Sequence, residues 1–177
     1  MADVDLSSFV RDIPDFPKPG IAFKDITPVL ASAEALDAAV TQLADLARPL
    51  KPEVVVGAEA RGFLLGAALA RELGAGFVLA RKPGKLPHET VRAEYLLEYG
   101  TDALELHSDA VAEGARVLVH DDLLATGGTA RALCELVEQL DGVVVGCAFL
   151  IELTFLNGRQ RLAQYEVSSL LRYDDGE

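Results

Sequence analysis

Four short apolar stretches limit what this chain can fold into more than any other feature: residues 54–56, 77–80, 116–119 (apolar after its first residue) and 143–150. A strand with one face in water alternates apolar and polar side chains, whereas a strand apolar at successive positions has both faces covered. Between these stretches lie segments with apolar residues at helical spacing. Ser32 is placed to cap a helix running to about Arg48, with Leu36, Val40, Leu43, Ala44 and Ala47 on one face and Pro49 ending it. Residues 63–73 carry Leu65, Leu69 and Leu73 and stop at Gly74, and residues 129–140 carry Leu133, Leu136, Val137 and Leu140 on one stripe. Covered strands alternating with helices predict an α/β fold: a central, mostly parallel sheet flanked by helices. At 177 residues, with no repeat or linker, residues 1–177 read as a single domain.

Two segments fall outside the alternation. Residues 1–30 hold Pro14, Pro17, Pro19 and Pro28, which exclude a regular helix. Yet Phe9, Ile13, Phe16, Ile21, Phe23 and Ile26 are too many apolar groups to leave in water, so the segment is expected to be an ordered arm packed across the domain. Residues 81–90 form a basic loop, and residues 91–107 alternate as a hairpin turned near Gly100-Thr101-Asp102. Residues 81–107 therefore read as a flap.

Charge and composition exclude several roles. The formal net charge is −12, which argues against nucleic acid as a partner and requires any anion to be held by a few placed groups. The first residues lack the basic-then-apolar pattern of a signal peptide, and the longest apolar run, 143–151, is far short of a membrane span. A cytoplasmic protein that does not enter membranes is expected. Cys134 and Cys147 have neither metal-ligand nor CxxC spacing and are expected to be reduced, buried thiols.

The chemistry concentrates in residues 117–129, where a buried strand is predicted to end in Asp121-Asp122 and Ala125-Thr126-Gly127-Gly128-Thr129 opens a helix. Glycines let the backbone approach an anion, and the helix amides and threonine hydroxyls donate to it. Two adjacent carboxylates repel each other and need hydroxyls or a cation. A phosphorylated ribose presents both kinds of group, at the carboxyl end of a strand where parallel sheets bind ligands. Neither a Gly-Lys-Ser/Thr loop nor a GxGxxG fingerprint is present. Arg61 sits in the glycine-flanked turn of residues 57–62, and Arg81, Lys82 and Lys85 cluster in the flap, so guanidinium and ammonium groups are available for a diphosphate. His120, just before the acids, reads as a bystander.

Residues 117–129 resemble the 5-phosphoribosyl-1-diphosphate motif of the type I phosphoribosyltransferases. Three further segments are similar, in order, to the arm, diphosphate loop and mobile catalytic loop of the adenine-specific branch of that family. They are Asp15-Phe16-Pro17-Lys18-Pro19-Gly20-Ile21 with Phe23-Lys24-Asp25-Ile26-Thr27-Pro28, then Gly57-Ala58-Glu59-Ala60-Arg61-Gly62-Phe63, then Arg81-Lys82-Pro83-Gly84-Lys85-Leu86-Pro87 with Tyr95-Leu96-Leu97-Glu98-Tyr99-Gly100. The resemblance implies the type I phosphoribosyltransferase fold with an N-terminal hood (1–30) and a flexible flap (81–107). It implies a glycosyltransferase of purine salvage that moves the 5-phosphoribosyl group from 5-phosphoribosyl-1-diphosphate to adenine, giving AMP and diphosphate.

The same resemblance implies roles. Asp121 and Asp122 hold the ribose hydroxyls, and Ala125, Thr126, Gly127, Gly128 and Thr129 grip the 5-phosphate. Glu59, Ala60, Arg61, Arg81, Lys82, Lys85 and Tyr99 serve the diphosphate side, and Glu98 is the general acid/base of the closed flap. Ala22, Phe23 and Lys24, with Leu123 or Leu124, surround adenine. Mg²⁺ is expected to arrive on the diphosphate substrate with no direct protein ligand, and a homodimer is expected, with Arg81 reaching its partner's site. No lysine follows Lys85, where enzymes for 6-oxopurines place one to read the oxygen, and this favours a 6-aminopurine. Transfer to hypoxanthine or xanthine, and a non-catalytic nucleotide-sensing regulator, are the competing expectations. An acidic chain with an intact flap and no spare DNA-binding segment disfavours the regulator.

Overall fold

The computed structural model describes residues 4–97 and 100–174. The four apolar stretches all form strands: β3 (Val54–Ala58), β4 (Gly76–Ala80), β7 (Arg116–Leu124) and β8 (Val143–Leu153). With β9 (Val167–Tyr173) they make one parallel sheet in the order β4-β3-β7-β8-β9. The strand β9 is absent from the sequence-based expectation, because Val167–Tyr173 mixes serine and arginine with its apolar residues. It lies at the sheet edge, where full coverage is not required.

Helices α1 (Thr27–Ala31), α2 (Ala33–Ala47) and α3 (Arg61–Leu73) pack on one face of the sheet, and α4 (Gly128–Gln139) on the other. The Ser32 hydroxyl caps α2 by accepting from Ala35 N, and Gly74 stops α3 in the left-handed conformation. Ala35 and Ala39 join Leu43, Ala44 and Ala47 as the sealed residues of α2, while Leu36 and Val40 are only half-buried. The alanines allow close helix approach, so the inward face is rotated slightly from the expected one.

Several expectations need correction. The exclusion of helix from residues 1–30 fails at its end, because Pro28 lies in the first turn of α1, where the missing N–H has no helical acceptor to lose. Among the described residues of the arm, β1 (Arg11–Ile13) pairs antiparallel with β2 (Phe23–Asp25), and Leu6 and Ile26 are buried. Phe16 and Ile21, however, are exposed. The hairpin consists of β5 (Thr90–Leu97) and β6 (Gly100–His107), which pair Tyr95 with Asp102 and Leu97 with Gly100. Gly100, Thr101 and Asp102 are thus strand residues, and the residues between Leu97 and Gly100 lie outside the described ones. The strand β7 does not end at the acids but runs on to Leu124, with Asp121 opposite Phe149.

Cys134 and Cys147 are free and buried with sulfurs 3.7 Å apart. Among the described residues no helix is long and apolar enough to cross a membrane.

One buried ion pair fixes the chain after β8. Arg159 donates to both carboxylate oxygens of Glu152, at 2.6 and 2.7 Å, and to Val167 O at 2.7 Å; Ser169 Oγ donates to the same carboxylate. Burial opposes the charge, yet the hydrogen bonds from Arg159 and Ser169 hold the Glu152 carboxyl below its usual range. The stability that Glu152 contributes is therefore present above the ordinary glutamate pKa and lost as pH falls through the lowered value. Arg159→Ala leaves a buried carboxylate short of its main partner. It is expected to cost about 3 kcal/mol in a urea titration, at the lower end for such breaks because Arg159 is partly exposed.

Candidate active site

The strand order turns back between β3 and β7: β4 lies on one side, β8 and β9 on the other. Connections leaving the carboxyl ends of these two strands diverge and open a crevice there. A pocket of ≈ 190 Å³ occupies it, lined by Arg61 from the turn after β3 and by residues 121–130.

Near the carboxyl end of β7 the Asp122 amide donates to Asp121 Oδ1 at 2.9 Å. Asp121 lies against the first turn of α3, where a Cβ on Gly62 would come within 3.0 Å of its Oδ1. The positive end of α3 thus faces this carboxylate. Asp122 Oδ2 is buried and accepts no hydrogen bond among the described residues; Arg61 Nε stands 3.2 Å away as an ion pair. Burial and the neighbouring Asp122 charge push the Asp121 pKa well up. Burial also raises Asp122, against the pull of Arg61. Two desolvated acids share one cation, an arrangement suited to hydroxyl donors and to a ligand that develops positive charge.

The glycine loop stands beside them. Gly127 caps α4 with φ +83°, and a Cβ there would meet Gly158 O at 2.5 Å. Only glycine satisfies both requirements, and the first amides of α4 are left without helical acceptors. Such amides bind phosphate.

The arm reaches the same crevice. The Arg61 guanidinium lies 5.2 Å from the centre of the Phe23 ring, and Phe16 packs edge-on against Phe23 at 5.2 Å. Strand alternation separates the two leucines. Leu124 is 1 % exposed and belongs to the core on the α4 side, whereas Leu123 is half-buried on the arm's side. Of the expected pair, Leu123 stands on Phe23's side of the sheet and Leu124 does not. The Lys24 side chain is buried, with Nζ 2.5 Å from Asp12 Oδ1 and over the Tyr173 ring at 4.1 Å. Ala22, beside it, is half-buried.

The flap cations are not brought into the pocket. The Lys82 amide donates to Glu59 Oε1 at 2.5 Å, and its ammonium contacts Asp102 and Tyr95 Oη. Arg81 lies with Nε 3.5 Å from Glu59 and donates to Lys85 O, and Lys85 itself is exposed. Glu59 thus ties the turn after β3, with its neighbour Ala60, to the root of the flap within one chain. Glu98 and Tyr99 lie outside the described residues. His120 is fully buried, its Nδ1 is 2.9 Å from Ala148 O, and burial pushes its pKa down to about 4, so it is neutral at physiological pH.

Sequence reasoning does not single out Gly158, which presses on the backbone of Ala125 and Gly127, or Arg161 beside it. The Asn157-Gly158 pair is a turn signal, but nothing local says which distant backbone the turn will meet.

Comparison with known proteins shows the family and the fold. The family model described as phosphoribosyl transferase domain matches residues 24–170. The chain is 59 % identical over 167 residues to an adenine phosphoribosyltransferase of Rubrobacter xylanophilus, covering 94 % of this chain and 90 % of that one. Its fold superposes with TM-score 0.93 on the adenine phosphoribosyltransferase of Thermoanaerobacter pseudethanolicus, at 55 % identity over 96 % of this chain and 98 % of the other. It superposes with TM-score 0.90 on the Giardia lamblia enzyme complexed with 9-deazaadenine, at 37 % identity over 99 % of both chains. A parallel sheet with paired acids and a glycine-opened helix at its switch point, together with this full-length likeness, places the chain in the adenine phosphoribosyltransferase family.

Proposed function

We propose that this protein is a purine-salvage glycosyltransferase that transfers the 5-phosphoribosyl group of 5-phosphoribosyl-1-diphosphate to adenine, forming AMP and diphosphate. The observation that carries the reading is the crevice itself. Half-buried Asp121, buried Asp122, the α4 amides and Arg61 converge there, and Arg61 connects them to the aromatic ring of the arm. The Giardia lamblia relative binds an adenine analogue, which supports adenine as the base.

The reaction forms a bond from the purine ring nitrogen to the anomeric carbon as the bond to diphosphate breaks. Residues 125–129 hold the 5-phosphate through backbone amides. Asp121 and Asp122 hold the ribose hydroxyls and favour positive charge on the ring as the leaving group departs. Arg61 meets the leaving diphosphate, and Arg81, Lys82 and Lys85 join it when the flap closes, Lys82 exchanging Asp102 for the anion. Phe23 and Leu123 enclose the base, which backbone groups of Ala22 and Lys24 read.

Among the described residues no three carboxylate, imidazole or thiol groups cluster to hold a metal. Mg²⁺ bound on the substrate's diphosphate and ribose oxygens, with no direct protein ligand, would supply charge neutralisation for the departing diphosphate. The working unit is a homodimer in the cytoplasm, a reading supported by the family and by exposed Leu64 and Leu79.

Diphosphate release on mixing the protein and 5-phosphoribosyl-1-diphosphate with adenine, hypoxanthine or xanthine tests the function. Release with adenine alone is expected. Preference for a 6-oxopurine would replace the reading, and no release with any base would leave a nucleotide-sensing protein. For the flap acid, Glu98→Gln is expected to lower kcat by more than about tenfold with little change in KM; a change in KM alone would remove the proton-handling role.

A further inference from the structure

Residues 157–162 pack against the glycine loop that borders the proposed phosphate site, and Arg161 lines the cleft next to it, which shares Gly128 with the crevice. A Cβ on Gly127 would lie 3.3 Å from Arg161 Cβ, and one on Gly128 would lie 3.8 Å from Arg161 Nη1. The guanidinium therefore stands beside the first residue of α4. The neighbouring cleft also contains Glu94, Arg131 and Glu135. Arg131 pairs with Glu135 at 3.0 Å, and Glu94 pairs with Arg92 at 3.1 Å. Arg161 makes no ion pair or hydrogen bond among the described residues, in a chain whose net charge is −12. Unpaired surface arginines are common, but this one is pinned in place. Its segment, Gly158–Leu162, is anchored by buried Leu162 and by the Arg159–Glu152 pair, and Gly158 abuts the glycine loop.

We propose that Arg161 is a further specificity residue for the ribose 5-phosphate, adding a charged side chain to a loop that otherwise offers amides and hydroxyls. The proposal rests on the reading of residues 125–129 as the phosphate loop. An exposed cation a few ångströms from a dianion acts through a screened field, so its effect is modest and depends on salt.

Titration calorimetry with ribose 5-phosphate, at about 50 mM and about 500 mM salt, tests it. Arg161→Gln is expected to weaken binding about fivefold to tenfold at low salt, with the gap closing at high salt, while Arg161→Lys stays within about twofold. The KM for adenine is expected to be unchanged. Equal binding by Arg161→Gln and the unaltered protein at low salt would overturn the proposal, as would a salt-independent loss shared by Arg161→Lys, which marks a structural role. Failure of the unaltered protein to bind ribose 5-phosphate would overturn both this proposal and the phosphate-loop reading beneath it.

Discussion

Asp122→Asn is expected to lower turnover of adenine by about 10²–10³-fold while leaving the protein as stable as the unaltered one, or more so. Loss of one preorganised electrostatic group at a reacting centre has a cost of that order. The stability expectation follows from the same burial. Desolvation raises the pKa values of both Asp121 and Asp122, so the folded state favours their protonated forms. A raised carboxylate pKa means that stability is gained as pH falls through the folded value, and that the charged pair weighs against folding at neutral pH. Asparagine has nearly the same shape and no charge to desolvate. Its cost is the Arg61 ion pair, which is small because the Arg61 side chain is 43 % exposed. Asp121→Asn is expected to raise Tm further, since Asp121 is pushed up by burial and by its neighbour, with little help from Arg61. Radiolabelled adenine conversion and thermal melts of the three proteins measure both effects. Activity within tenfold of the unaltered protein would remove the ribose role, and a fall in Tm of several degrees would recast the pair as structural.

The expected opposition between stability and activity is what makes the candidate site legible in the sequence. Burying two adjacent acids on a core strand makes no sense for folding, so the Asp121-Asp122 pair at the end of an apolar run signals a ligand. The sheet is legible for the opposite reason: its central strands obey the folding rule, and apolar runs such as 54–56 have no other place to go. The failures have physical causes too. Strand β7 outruns its apolar residues because ladder bonds to β8 continue past the acids to Leu124. Edge strand β9 has too little coverage to leave an apolar signature, and Gly100-Thr101-Asp102 falls within strand β6 because glycine marks a reversal but not its register. The flap cations read as a cluster on the diphosphate, yet in this conformation Glu59 and Asp102 hold Arg81 and Lys82 at the flap's root. Charge composition identifies such groups without saying which partner they hold at rest.

Gly158→Ala is expected to raise the KM for 5-phosphoribosyl-1-diphosphate by about 30-fold or more, although residue 158 lies outside every motif. A Cβ at 158 would sit 2.4 Å from Ala125 O, 2.9 Å from Leu124 Cδ1 and 3.1 Å from Gly127 N. Two of these atoms are backbone of the proposed phosphate loop, so no rotamer change relieves the clash. The other side is equally fixed, since Arg159 is locked to Glu152 and Leu162 is buried. The loop must therefore yield, and amides aimed at a phosphate lose their aim with shifts of about 1 Å or less. A loss of about 30-fold corresponds to about 2 kcal/mol. Gly114→Ala supplies the control. Its φ of +73° makes alanine strained there, but nothing lies within 4 Å of the added carbon. It is expected to lose about 1 kcal/mol of stability with unchanged kinetics. Arg159→Ala separates the remaining possibility, because it lowers stability without placing an atom against the loop. If Gly158→Ala only lowered Tm and kept the normal KM, the 157–162 segment would be packing alone; if KM for adenine rose as much as that for the phosphorylated sugar, the damage would extend beyond the phosphate loop.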